Sequence, residues 1–270
     1  MNYIIRYAGT SHTGVHCNQN QDNIFCANRY MNAKDRSAPV YYHGYIEPGS
    51  RAVFGVFDGM GGTSCGEEAA LIAAKSAGQI SLGHNPVFSL YHYCKQVNEK
   101  IRTFVRDNRY HSSGTTAALL AFSEKQITLC NIGNSKIFLL SGNDIDQISK
   151  DHTMFMPNRK KPLLTQNLGM DERFSPLSPY FATGNYFEDG IYLICSDGLS
   201  DILSADEIKQ TIKCTPFETA PLVLQEKAFS RGARDDVSII LCKTELKRIF
   251  KGGKYLGKLG FKSNLARVGV

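Results

Sequence analysis

The chain has 270 residues, 42% hydrophobic and 21% charged, a balance that excludes an intrinsically disordered protein. No apolar run approaches the ~18 residues of a membrane-spanning helix, and the opening MNYIIRYAGTSHTG lacks the basic start and long apolar run of a secretory leader. The net charge of +6 is local: positions 246–270 hold seven cations and no acid, leaving 24 cations against 25 acids elsewhere, so charge does not suggest a nucleic-acid-binding body.

In chain order, RAVFGVFDGMGG reads as a buried strand from Val53 to Phe57 that runs into an Asp-Gly turn. Ser64 and Glu67 have capping-box spacing and open a helix that stops at Gly78. Asn85-Pro86 starts a second helix, ending near Asn108, with Leu90, Cys94, Val97, Ile101 and Val105 on one face. TTAALLAF, ITLCNIG and KIFLLSG read as three strands, with a turn at SGND. Residues 151–190 are loop-rich. IYLICSDG is a further buried strand ending in Asp-Gly, Ser204 with Glu207 is a second capping box, a helix spans about Glu218–Ser230, and DDVSIILCK closes the body as a strand. Regular βαβ alternation is missing, which favours sheets packed together with helices outside over a doubly wound parallel sheet.

The eight cysteines form no CxxC pair, and several lie in apolar runs. They read as small buried hydrophobes in a reducing cytoplasm. Four carboxylates stand out instead. Asp58 and Asp197 each end an apolar strand and precede glycine, Asp235 opens another strand beside Asp236, and Asp22 precedes an apolar pair in NQDNIF. Asp is a poor strand residue. Several at the ends of rigid strands offer hard oxygen ligands, the donor set of Mg²⁺ or Mn²⁺. Any single Asp-Gly is also an ordinary turn, so the recurrence carries the signal.

Eight segments complete the pattern: NQDNIF, VFGVFDGMGG, SSGTTAALLAF, NIGNSKIFLL, DHT, LLTQNLG, ICSDGLSDIL and RDDVSIIL, spread over residues 10–244. In order and spacing they resemble the metal-dependent protein phosphatases, the type 2C protein serine/threonine phosphatases, in their compact bacterial form. The resemblance implies an α+β fold, an α/β/β/α sandwich of two antiparallel sheets flanked by helices. Residues 1–245 would be the catalytic domain and 246–270 a basic tail. It implies two divalent ions, Mg²⁺ or Mn²⁺. Asp58 would bridge them, the Gly59 carbonyl would bind one, Asp197 and Asp235 would complete the other's shell, and Asp22 would act through a bound water. Asp201 matches a third, weaker ion site. The implied reaction is hydrolysis of phosphoserine or phosphothreonine in proteins by a metal-activated water, with no covalent intermediate. The implied partners are phosphoprotein substrates, a cognate kinase or its targets.

The chain departs from that family at several points. Cys17 stands where an Arg commonly clamps phosphate, with Arg6, Arg36 or Arg51 as substitutes from elsewhere. Met60 replaces a frequent His and cannot give a proton to the leaving group. Asn134 replaces a frequent Asp, which weakens the third ion, and Gln21 a frequent Glu. The loop from Met154 to Pro162 is short, and its Arg159-Lys160-Lys161 triplet is either solvated or meets a phosphopeptide. Three fates are open to the tail: solvated, docked on an anionic surface or partner, or packed on the body. The departures at Cys17 and Asn134 also motivate an alternative, a pseudophosphatase that binds phosphoprotein without turnover. Phosphoryl transfer to Asp58 itself would want a second acid at Met60.

Overall fold

A computed structural model describes residues 3–15, 17–60, 65–157, 159 and 161–247. The tail from residue 248, His16 and Lys160 lie outside the described residues, as does Ser64. The strands are β1 Tyr3–His12, β2 Asn23–Cys26, β3 Arg29–Tyr30, β4 Val40–Ile46, β5 Ala52–Phe57, β6 Gly59–Met60, β7 Gly114–Thr115, β8 Ala117–Phe122, β9 Ile127–Ile132, β10 Lys136–Ser141, β11 Asp144–Gln147, β12 Thr153–Met154, β13 Leu163–Leu164, β14 Tyr180–Gly184, β15 Ile191–Cys195 and β16 Val237–Leu246. The helices are α1 Gly66–Ala77, α2 Pro86–Asp107, α3 Asp197–Ser200, α4 Ala205–Cys214 and α5 Ala220–Ser230.

Two six-stranded antiparallel sheets carry the fold. One runs β11-β10-β15-β16-β1-β4 and the other β14-β9-β8-β5-β2-β3. Their inner faces meet in a core that includes Ile5, Phe54, Leu120, Phe122, Tyr192 and Ile240. Helices α1 and α2 cover the outer face of the second sheet, over Phe57, Leu119 and Cys130. Helices α4 and α5 cover the outer face of the first, over Leu193, Ile239 and Leu241. The expected α/β/β/α sandwich is therefore the observed architecture.

This layering explains why the central strands read as unbroken apolar runs. In β5, Val53 and Phe57 face the helices while Ala52, Phe54 and Val56 face the opposite sheet. A strand buried on both faces cannot alternate with polar residues. Helix α1 approaches closely because it presents alanines 69, 70, 73, 74 and 77. Helix α2 is N-capped by Asn85, whose side chain accepts from the Phe88 amide, and is C-capped by Asn108, near the expected end. The Ser204–Glu207 capping box opens α4. The expected Ser64–Glu67 capping box falls on a residue outside the described ones; the described N-cap of α1 is Cys65, in the left-handed region at φ 59°, with no side-chain cap bond of its own.

Candidate metal centre

Strand register brings the four carboxylates to one end of the sandwich. In the second sheet Asn23 pairs with Phe57, so Asp22 and Asp58 leave adjacent strands at the same level. In the first sheet Cys195 pairs with Ile239, so Asp197 faces the entry to β16 and its Asp235-Asp236 doublet. His12 at the end of β1 pairs with Val237, which draws the loop after β1 to the same place.

The backbone at this end is tightly held. The Thr116 hydroxyl accepts the Asp58 amide at 3.0 Å, and the Asp58 carbonyl accepts the Thr116 amide at 2.9 Å and the Thr115 hydroxyl at 3.0 Å. The SSGTT segment is thus the clasp that aims Asp58. A Cβ on Gly59 would lie 2.3 Å from the Gln21 carbonyl oxygen and 2.4 Å from that of Gly66, so only glycine fits. Beneath Asp22 runs a polar chain. The Asn20 amide donates to Ser11 Oγ at 2.8 Å, Ser11 and Ser238 hydroxyls meet at 2.7 Å, and the Ser196 hydroxyl accepts the Ser238 amide at 3.0 Å.

The electrostatics are those of crowded like charges. Burial, then Asp58 and Asp236, push Asp22 well above the usual carboxylate range. Burial, then Asp197, Asp235 and Asp236, do the same to Asp58. Burial raises Asp197 too; Asp235 and Asp201 add to the rise, and Lys161 opposes it. Asp22 is buried, and its Oδ2 has no hydrogen-bond partner among the described residues.

A cavity of about 570 Å³ opens here, with Asp197, Asp201, Asp235, Lys161 and Arg234 among its lining residues. Asp201 sits at the end of α3, its amide donating to the Asp197 carbonyl at 2.8 Å. Lys161 Nζ lies 3.1 Å from Asp201 and 3.7 Å from Asp197. At least this member of the basic triplet is therefore engaged at the site, not simply solvated. Asn134 donates from Nδ2 to Asp197 Oδ2 at 3.0 Å, so the residue in the NIGNSK motif does face the carboxylates.

Two features escaped the sequence reading. Asp236, at 4% exposure, accepts the Gly14 amide at 2.7 Å and the Gln21 amide at 2.6 Å, which makes it a bracket for the loop that leads to Asp22. Cys17 Sγ clusters with carboxylate oxygens of Asp235 and Asp236, all within 4.8 Å of one another. Burial and those two acids push its thiol up to about 11, so it is neutral at physiological pH. The three arginines expected to replace the missing clamp are committed elsewhere. Arg6 pairs with Glu218 and Glu245, Arg36 with Glu68, and Arg51 with Glu124.

A profile of the family Protein phosphatase 2C matches residues 17–160. The chain belongs to that family. Its resemblance to the type 2C phosphatases thus holds, and the profile spans Asp22 and Asp58. Among curated relatives, the protein phosphatase PhpP of Streptococcus pneumoniae is 27% identical over 223 residues, covering 74% of this chain and 89% of that protein. The serine/threonine protein phosphatase PstP of Mycobacterium tuberculosis is 23% identical over 252 residues, covering 88% of this chain and 45% of that one. The crystal structure of the PstP catalytic domain in complex with two manganese ions superposes with a TM-score of 0.73 at 23% identity, over 90% of this chain and 99% of that one. Covering 90% of this chain, that likeness extends the shared fold past residue 160.

Proposed function

We infer that this member of the family is a protein serine/threonine phosphatase that works with two divalent ions, Mg²⁺ or Mn²⁺, held by Asp22, Asp58, the Gly59 carbonyl, Asp197 and Asp235. The observation that carries this reading is the convergence of carboxylates from four distant segments, in which burial and neighbouring acids raise the proton affinity of Asp22, Asp58 and Asp197. Such a cluster is costly on its own, and cations relieve it. The all-oxygen donor set suits hard ions, and the orphaned Asp22 Oδ2 is an acceptor in want of a partner. Bound there, the ions would supply Lewis acidity, offsetting phosphate charge and lowering the pKa of a water toward neutrality.

The chain's own residues supply the rest. The Thr115-Thr116 clasp keeps Asp58 aimed, and the Asp236 bracket keeps the Asp22 loop in place. Lys161 brings a tethered positive charge to Asp201 and Asp197, beside the amide of Asn134. That arrangement favours a weak third ion site at most. Met60 carries no proton to donate, so protonation of the leaving serine or threonine oxygen does not come from that position. The proposed substrates are phosphoproteins made by a cognate kinase, and the kinase itself. Residues 1–245 form the catalytic body in this reading. All eight cysteines are free thiols, which suits a cytoplasmic setting. Among the described residues no helix is long and apolar enough to cross a membrane.

The test is phosphate release from a phosphothreonine peptide while Mn²⁺ is titrated in. Wild-type protein should turn over in a metal-dependent way, and Asp197→Asn should shift the titration to higher metal and lower the plateau. Metal-dependent peptide binding without any release would instead select the pseudophosphatase alternative.

A further inference from the structure

A phosphate ester is a dianion, and the cavity it must enter is walled by Asp197, Asp201 and Asp235. The ions of the proposed centre offset part of that charge. The protein must supply the remaining positive contact from the cavity wall itself. Among the described residues two cationic side chains line it, Lys161 and Arg234. Lys161 is already ion-paired with Asp201 and Asp197. The Arg234 guanidinium has no ion-pair or hydrogen-bond partner among the described residues, although Asp235 is its neighbour in the chain.

The backbone around it adds a second observation. The loop after β1 is seated directly on Arg234 and Asp235. A Cβ on Gly14 would lie 2.3 Å from the Arg234 carbonyl oxygen, and Cys17 Sγ lies 3.8 Å from that same oxygen. The side chains of residues 17 and 234 therefore start from touching segments at one edge of the site. Cys17 itself offers phosphate no positive charge.

We propose that Arg234 is the phosphate-binding arginine of this protein, serving from the entry to β16 in place of a cation at position 17. The proposal rests on the phosphatase reading above. A planar guanidinium presents parallel N–H donors that match two phosphoryl oxygens, which an ammonium does not. Arg234 would hold the substrate phosphate and, after hydrolysis, the inorganic phosphate product.

The experiment compares wild type, Arg234→Ala, Arg234→Lys and the double variant Cys17→Arg with Arg234→Ala, all loaded with Mn²⁺. Calorimetry reads the Kd for inorganic phosphate, and steady-state kinetics read KM and kcat for a phosphothreonine peptide. Arg234→Ala should weaken phosphate binding and raise KM by about 10- to 100-fold, the factor expected for a lost charge-assisted contact. kcat should stay within about threefold, as for a contact made alike in ground and transition states. Arg234→Lys should recover part of the loss, and Cys17→Arg most of it. An unchanged phosphate Kd in Arg234→Ala overturns the proposal, as does a wild-type protein that binds no phosphate. Turnover in wild type with no effect of Arg234→Ala would keep the phosphatase reading and remove this one. Phosphate binding that depends on Arg234 without any turnover would do the reverse.

Discussion

The Asp236 carboxylate accepts the Gly14 amide at 2.7 Å, joining the loop after the first strand to the entry of the last strand across 222 residues. Its other oxygen accepts the Gln21 amide, one residue before Asp22. Asp236 thus sets the position of a proposed metal-associated carboxylate without being one of the proposed ligands. Asp236→Ala should cost about 2–3 kcal/mol in urea unfolding, as for hydrogen bonds to a buried charged acceptor. It should also weaken Mn²⁺ binding in calorimetry. Asp236→Asn keeps one acceptor oxygen and should lose less of both.

Neutralising Asp58, whose carboxylate holds no loop in place among the described residues, should stabilise the metal-free protein while ending its activity. Asp58 has an ordinary value of 3.8 and is raised well above it in the fold, by burial and then by Asp197, Asp235 and Asp236. Between 3.8 and the raised value the native state holds the proton and the unfolded chain does not. This group's contribution to stability therefore falls as pH rises through that window. Metal-free Asp58→Asn should melt above wild type at pH 7, and the gap in Tm should narrow as the pH approaches 4. Saturating Mn²⁺ should stabilise wild type and not Asp58→Asn. A gap that stays constant across pH would show that the cluster is not strained by charge.

The inter-sheet core should be intolerant of truncation. Phe54 is fully buried between the sheets, 5.2 Å from the Tyr7 ring and 5.7 Å from the Phe122 ring. Phe54→Ala should cost about 3–5 kcal/mol, the range for a large cavity left in a packed core. Equilibrium denaturation measures it directly.

The close approach at Gly59 gives a prediction of a different kind. An added methyl would collide with the Gln21 and Gly66 carbonyls, both backbone groups. Gly59→Ala should therefore displace the Asp22 segment or the start of α1. Mn²⁺ affinity should fall at least tenfold, about 1.4 kcal/mol, with the helical circular dichroism signal retained.

Much of this was legible in the residues. The strands ending at Phe57 and Cys195 are buried on both faces, so they stand out as apolar runs stopped by Asp-Gly. Helix α2 carries its own cap at Asn85 and one clean apolar face. Strand β1 was missed because Arg6 and Gly9 interrupt its apolar residues. Arg6 reaches out to Glu218 and Glu245, while Ile5 and Tyr7 fill the core. Strand β4 does not stand out because it is a sheet edge whose residues are half-buried or exposed, with none in the core. Asp22, Asp58, Asp197 and Asp235 could be chosen because each flanks an apolar strand. The bracket role of Asp236 and the pairing of Lys161 with Asp201 depend on loop geometry, which a one-dimensional pattern does not encode. The same holds for Cys65 as the α1 cap, with its backbone in the left-handed region.

The central claim is that these carboxylates hold a pair of divalent ions. Diffraction from crystals grown with Mn²⁺, recorded at the manganese absorption edge, tests it most directly. The account predicts two strong anomalous peaks enclosed by Asp58, Asp197 and Asp235, one of them beside the Gly59 carbonyl. Crystals from manganese-saturated solution with no peak in that ring, or with their peaks only elsewhere on the surface, would contradict it.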